Sequence, residues 1–165
     1  MKKIVVTGSE GFIGSKVVSK LRSIGCEVFT IDLLPGKENH FSLDITSDDL
    51  SLALEQISPD CIVHLAAQID VTQSILDPAK DLEINGFGTL NLVSQAARIG
   101  CSNFVYVHSG GAIYDSKNVI PIVEESHELP ISPYGLSKQI GEGYVRIFCN
   151  KNHIQWSSLA LSNCY

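Results

Sequence analysis

The chain has 165 residues, 44% of them hydrophobic and 18% charged, with a formal net charge of −6. That is enough for one domain with a real core, and the acidic balance makes nucleic acid and anionic membranes poor partners. No apolar run is long enough for a signal peptide or a membrane span; five cysteines without CxxC spacing read as reduced thiols of a cytoplasmic protein, and five isolated histidines suggest no metal set.

The first expected element is a strand, Ile4-Val5-Val6-Thr7, whose β-branched character suits a position buried on both faces of a parallel sheet. It runs into Gly8-Ser9-Glu10-Gly11-Phe12-Ile13-Gly14, a G-x-x-G-x-x-G spacing, after which Val17, Val18 and Leu21 recur at helical intervals. A helix start offers unpaired N–H groups and the positive end of the helix dipole. The glycines let the backbone turn sharply and let a pyrophosphate come close, and Gly14 lets the helix pack on the sheet. Glu27 to Ile31 is the next strand, and Asp32 ends it, 18 residues after Gly14. A carboxylate there can accept bonds from an adenosine ribose. It would also repel a 2′-phosphate, so NAD is expected over NADP, with Lys37 the nearest base. The alternative for Asp32 is a solvated turn residue before Pro35-Gly36.

Residues 33–46 form a polar connection in which Phe41-Ser42-Leu43 reads as a short strand ending at Asp44. Asp44 either caps the next helix or, with Ile45, lies beside an adenine ring. Thr46-Ser47-Asp48-Asp49 opens a helix to about Gln56. Cys61 to Leu65 is the next strand, and Ala66-Ala67-Gln68 after it leaves room for a cofactor across the sheet edge. A helix is expected from about Ala79 to Gly100, with Leu82, Leu90, Val93 and Ala97 on its apolar face and local weakness at Gly86 and Gly88. Asn85 is a polar residue inside it. A strand from Asn103 to Val107 leads into His108-Ser109-Gly110-Gly111, and residues 115–130 form an acidic, proline-bearing loop. Ser132 fits a helix cap with Pro133 in first position. That helix runs to about Asn150, and Gln155 to Leu161 is the last strand. Strands alternating with helices predict a doubly wound α/β domain of Rossmann type, a parallel sheet with helices on both faces and the ligand at its carboxyl edge.

Tyr134 and Lys138 are four apart on a predicted helix and share a face. An ammonium near a phenol favours the phenolate, which can take a proton from an alcohol. Ser109, at a strand end, can hold the same oxygen. Base, cation and orienting hydroxyl together suit hydride transfer beside a nicotinamide.

Thr7-Gly8-x-x-Gly11-Phe12-Ile13-Gly14, His64-Leu65-Ala66-Ala67-Gln68, Asn85-x-x-Gly88-Thr89-x-Asn91 and Tyr134-Gly135-x-Ser137-Lys138 together resemble the extended short-chain dehydrogenase/reductase family. The likeness is to its NAD-dependent epimerase/dehydratase branch, and within that to the UDP-glucose 4-epimerases. The resemblance implies that Gly8, Gly11 and Gly14 hold the NAD pyrophosphate with backbone N–H groups of Phe12 and Ile13. It puts Asp32 on the ribose and Asp44-Ile45 on the adenine, with Leu65, Ala66, Ala67 and Gln68 lining the cofactor. Asn85 steadies the catalytic helix, Tyr134 is the base, and Lys138 binds the nicotinamide ribose and lowers the Tyr134 pKa. The substrate implied is a UDP-linked sugar, and the assembly a homodimer pairing through helices 79–100 and 133–150.

The pattern departs from the family in places. Gly110 stands where a catalytic Ser or Thr is common, which leaves Ser109 as the candidate; Asp115 follows Tyr114 where glycine is usual; Ala160 replaces a common Arg. The family continues beyond Tyr165 into a substrate-binding part, so residues 1–165 are expected to be the NAD-binding domain alone. A 4,6-dehydratase is a neighbouring expectation, disfavoured by Gly110-Gly111 in place of an acidic pair. An NAD-binding module without turnover is another.

Overall fold

The computed structural model describes residues 2–114, 120–126 and 128–165. Six strands form one sheet in the order β3-β2-β1-β4-β5-β6, every neighbouring pair parallel. They are β1 (Lys3–Thr7), β2 (Glu27–Asp32), β3 (His40–Ser42), β4 (Cys61–His64), β5 (Asn103–Ser109) and β6 (Gln155–Leu161). The helices are α1 (Phe12–Ser23), α2 (Asp49–Ile57), α3 (Val71–Leu76), α4 (Pro78–Leu82), α5 (Thr89–Arg98), α6 (Gly110–Ile113) and α7 (Pro133–Lys151). From β1 the chain winds outward through β2 to β3, then returns and crosses to β4, β5 and β6. The order reverses between β1 and β4, and a crevice opens at the carboxyl ends there.

The predicted doubly wound fold is therefore the observed one. β1 is buried from Ile4 to Thr7, as a central parallel strand with helices on both faces should be. The larger core lies under α2, α5 and α7 and is built from Val5, Ile31, Leu50, Leu54, Ile62, Leu92, Phe104, Tyr106 and Val145. The smaller core lies under α1, where Val18 meets Ile4, Val6 and Val28. Beyond it, β5 and β6 are thinly covered, and Leu159 is 47% exposed. Among the described residues no helix is long and apolar enough to cross a membrane.

Several boundaries differ from expectation, each for a local reason. α1 begins at Phe12, so Gly14 lies within the helix rather than before it. The short strand sits one residue earlier than predicted, because Thr30 N–H bonds Asn39 O and Leu43 N–H bonds Asp32 O. Asp44 Oδ1 accepts from Thr46 N–H at 2.9 Å and from its hydroxyl at 2.8 Å. That holds residues 44–47 as a turn and delays α2 to Asp49. α3 was not expected; Asp70 caps it by accepting from Thr72 and Gln73 N–H groups. α6 was not expected either. The predicted 79–100 helix is α4, a π turn over Glu83–Gly88, and α5. α7 starts as predicted, with the Ser132 side chain accepting from Gly135 N–H and Pro133 in the first turn. The expected loop 115–130 includes residues outside the described set; Glu128 within it forms an antiparallel bridge with Tyr114, just before it.

Candidate functional site

A cavity of about 620 Å³ opens at the carboxyl ends of the strands. Its floor is the turn after β1. Gly8 has φ +67°, and a Cβ there would stand 2.6 Å from Ala66 N. A Cβ on Gly14 would stand 2.0 Å from Gly8 O. Any side chain at either position would fill the cradle between β1, α1 and the segment after β4. The N-terminus of α1 faces this cradle, so its free N–H groups and dipole meet whatever anion lies there.

Around it the cavity is lined by Gly8, Gly11, Phe12, Ile13, Gly14, Asp32, Asp44, Ile45, Leu65, Ala66, Ala67, Gln68, Ser109, Tyr134 and Lys138. Of the residues expected to bind the cofactor or act in catalysis, Asn85 is outside this lining. The Asp32 carboxylate is fixed by two backbone donors, Glu10 N–H on Oδ2 and Leu34 N–H on Oδ1, each at 3.0 Å. Asp44 lines the cavity and caps the 44–47 turn; it does not cap α2, whose N-cap is Asp48. Asn85 is 1% exposed. Its Oδ1 accepts Gln68 N–H at 2.9 Å, and its amide N–H groups reach Gln68 O at 3.0 Å and Ser137 Oγ at 3.1 Å. It thereby ties the segment after β4 to α7.

A chain of bonds that the sequence did not announce sets the height of that segment. Thr89 Oγ1 donates to Asn85 O at 2.7 Å, which leaves its lone pair for His64 Nε2–H at 2.9 Å. His64 Nδ1 then accepts from the Thr7 hydroxyl at 2.8 Å. Thr7 Oγ1 in turn accepts Leu65 and Ala66 N–H, both at 3.2 Å. Complete burial, with the Lys138 charge adding to it, lowers the His64 pKa to about 3, so the ring is neutral.

The reactive candidates converge from two elements. Tyr134 and Lys138 project from α7, and Ser109 ends β5. Burial pushes the Tyr134 phenol above its ordinary range; the neighbouring Ser109 hydroxyl works against this and the Asp81 charge adds to it. Burial lowers Lys138 to about 7, opposed by Asp81 and Glu142. The expected lowering of the Tyr134 pKa by Lys138 is not what the geometry gives. The ammonium rests over the Tyr106 ring, 4.4 Å from its centroid, and burial decides the phenol's direction. His108, also in the lining, is buried with Nδ1 accepting Ser109 N–H at 2.8 Å. Its Nε2 lacks a hydrogen-bond partner and lies 3.7 Å from Glu142 Oε2. Burial, then Lys138, lowers its pKa to about 3.

A family model described as the NAD dependent epimerase/dehydratase family matches residues 4–165. The chain belongs to this family. A putative UDP-glucose 4-epimerase of Methanocaldococcus jannaschii is 36% identical over 98% of the chain and 56% of its own length. The UDP-glucose 4-epimerase of Thermotoga maritima, solved with UDP-glucose, superposes with TM-score 0.89 at 33% identity, covering 94% of this chain and 54% of that one. The Thermus thermophilus UDP-glucose 4-epimerase, solved with NAD, gives 0.87 at 33% identity, covering 94% and 53%. The chain thus spans about half the length of these epimerase relatives. The family is NAD-dependent, and the cradle, the pinned Asp32 and the small-residue wall are compatible with a dinucleotide.

Proposed function

We propose that this chain is the NAD-binding and proton-transfer part of a nucleotide-sugar 4-epimerase acting on a UDP-linked hexose. One observation carries the reading: Tyr134, Lys138 and Ser109 open onto the same cavity as the glycine cradle and Asp32. Bound NAD would supply reversible hydride acceptance from the sugar C4. The chain's own residues do the rest. Gly8, Gly11 and Gly14, with the amides of Phe12 and Ile13, take the diphosphate. Asp32 takes ribose hydroxyls, and Asp44 and Ile45 border the adenine. Leu65, Ala66, Ala67 and Gln68 form the wall, which Asn85 braces against α7. The C4 hydroxyl proton passes to Tyr134 Oη as the phenolate, a form that the positive charge of bound NAD would favour against the burial that raises this phenol; Ser109 orients that hydroxyl, and Lys138 holds the ribose nearest the reacting carbon. The substrate's nucleotide and most of its sugar contacts belong to a part outside residues 1–165, a reading supported by the length of the relatives and the half-covered β5–β6 face.

Calorimetry with NAD and an assay of UDP-glucose conversion to UDP-galactose test this. NAD binding is the expected result for residues 1–165, and conversion that Tyr134→Phe reduces by roughly 10²–10⁴-fold is expected for those residues joined to the substrate-binding part; absence of NAD binding overturns the reading. Binding without conversion even with that part present selects a second reading, a dinucleotide-binding module without turnover. A 4-keto-6-deoxy product would select a dehydratase. We also place the chain in the cytoplasm and its full-length form as a homodimer. Leu82, Phe87, Leu136 and Ile147 are exposed along α4, the π turn and α7; a monomeric sedimentation coefficient would overturn the dimer.

A further inference from the structure

Asp81 lies on α4, outside the cavity lining, and is 1% exposed. Three donors converge on its carboxylate. Gln68 Nε2 at 2.9 Å and Asn85 Nδ2 at 3.1 Å reach Oδ1, and the Ser137 hydroxyl reaches Oδ2. These come from the segment after β4, from the π turn and from α7. Ser137 follows Tyr134 by three residues and precedes Lys138 by one, so holding its hydroxyl fixes the rotation at which both side chains leave the helix. We propose that Asp81 is a positioning residue of the reaction centre, whose buried carboxylate locks α7 through Ser137, the residue before Lys138, and thereby brings a negative charge to that turn of the helix. This rests on the roles given above to Tyr134 and Lys138.

The charge, and not only the hydrogen bonds, is the specific part. A neutral side chain could brace four elements without the desolvation cost of a buried anion. Among the described residues, Lys138 lies over the Tyr106 ring of β5, and the charged or titratable groups that bear on it are Glu142 on α7, His64 on β4, His108 on β5 and Asp81 on α4, with Tyr134 one turn before it on α7. Both histidines are neutral near pH 7 because burial lowers each to about 3, and Tyr106, pushed up by burial, is neutral too. Only Asp81 and Glu142 are left to oppose the burial that brings Lys138 down to about 7. The Glu142 side chain is 23% exposed and lies beside His108, so solvent screens it more than Asp81.

The test is a pH titration of the ¹³C-lysine-labelled chain by NMR, with the Lys138 signal assigned through Lys138→Arg. In the unmodified chain the Lys138 midpoint is expected near 7. Asp81→Asn should bring it to about pH 6 or lower, and Asp81→Glu should restore it. A midpoint that stays in place in folded Asp81→Asn overturns the proposal. Should that variant fail to fold, the Asp81 carboxyl carbon of the unmodified chain decides: its shift should step at the Lys138 midpoint, and a flat trace overturns the proposal. Neither readout uses cofactor. A chain that binds no NAD therefore defeats the epimerase reading separately, through calorimetry.

Discussion

At Gly8 two constraints meet, a left-handed φ of +67° and a backbone nitrogen, Ala66 N, 2.6 Å from where a Cβ would be. Neither yields easily, since the nitrogen belongs to the segment that Thr7 and His64 hold in place. Gly8→Ala should therefore cost roughly 2–4 kcal/mol of stability and remove NAD binding; urea unfolding and calorimetry read the two effects. Asp32 gives a milder and more selective case. Each oxygen already accepts one backbone N–H, and an amide in its place turns an NH₂ group toward one of those donors. Asp32→Asn should weaken NAD about ten-fold or more with little change in the unfolding midpoint; an unchanged affinity removes Asp32 from the ribose. The place of Asp32 in the cavity wall was legible in the sequence because it follows a strand and a glycine turn. Asp81 was not, because its partners Gln68 and Ser137 lie 13 and 56 residues away and no periodicity marks them. His64 was visible only as part of a motif; its bonding needs strand pairing to be seen.

The elements show the same division. β1, β2 and β6 were readable because β-branched and apolar runs between glycines, prolines and polar turns are a local signal. The 79–100 segment has helical rhythm throughout, and rhythm alone does not reveal the π turn that presents Asn85 to Gln68 and Ser137. α7 was readable from Ser132-Pro133, while helix propensity alone treats each of its glycines alike. The structure separates two of them. A Cβ at Gly141 would stand 2.8 Å from both Asn85 O and Tyr106 Oη, whereas Gly143 has nothing within 4 Å. Gly143→Ala should stabilise the chain by roughly 0.5–1 kcal/mol through helix propensity. Gly141→Ala gains the same propensity but must push α7 off the π turn, so it should destabilise by about 1–3 kcal/mol. Equal effects in paired urea titrations would show that α7 does not approach the π turn this closely.

Across the whole molecule, the order β3-β2-β1-β4-β5-β6 brings the cradle, Asp32 and Ser109 to one edge, and it also buries two histidines beneath that edge. Their titration gives the fold a pH dependence of definite sign. Both have pKa values lowered from 6.5 to about 3. Above 6.5 the rings are neutral whether the chain is folded or not, and they add nothing to the pH dependence. Below 6.5 the unfolded chain binds protons that the folded chain refuses, so stability falls until the pH nears 3. Each histidine contributes about 1.4 kcal/mol per pH unit, or roughly 2 kcal/mol by pH 5, and two of them together remove a large share of the 5–15 kcal/mol of a typical domain. Urea titrations at pH 7.5 and pH 5 measure the total, to which carboxylates also contribute, and His108→Asn isolates one ring. Asn keeps a polar group beside Ser109 N–H without a group that titrates in this range, so the variant should lose about 2 kcal/mol less than the unmodified chain over the same interval. If both lose equally, His108 takes up its proton in the folded state, and Glu142, 3.7 Å from Nε2, is then the group that accepts the ion pair.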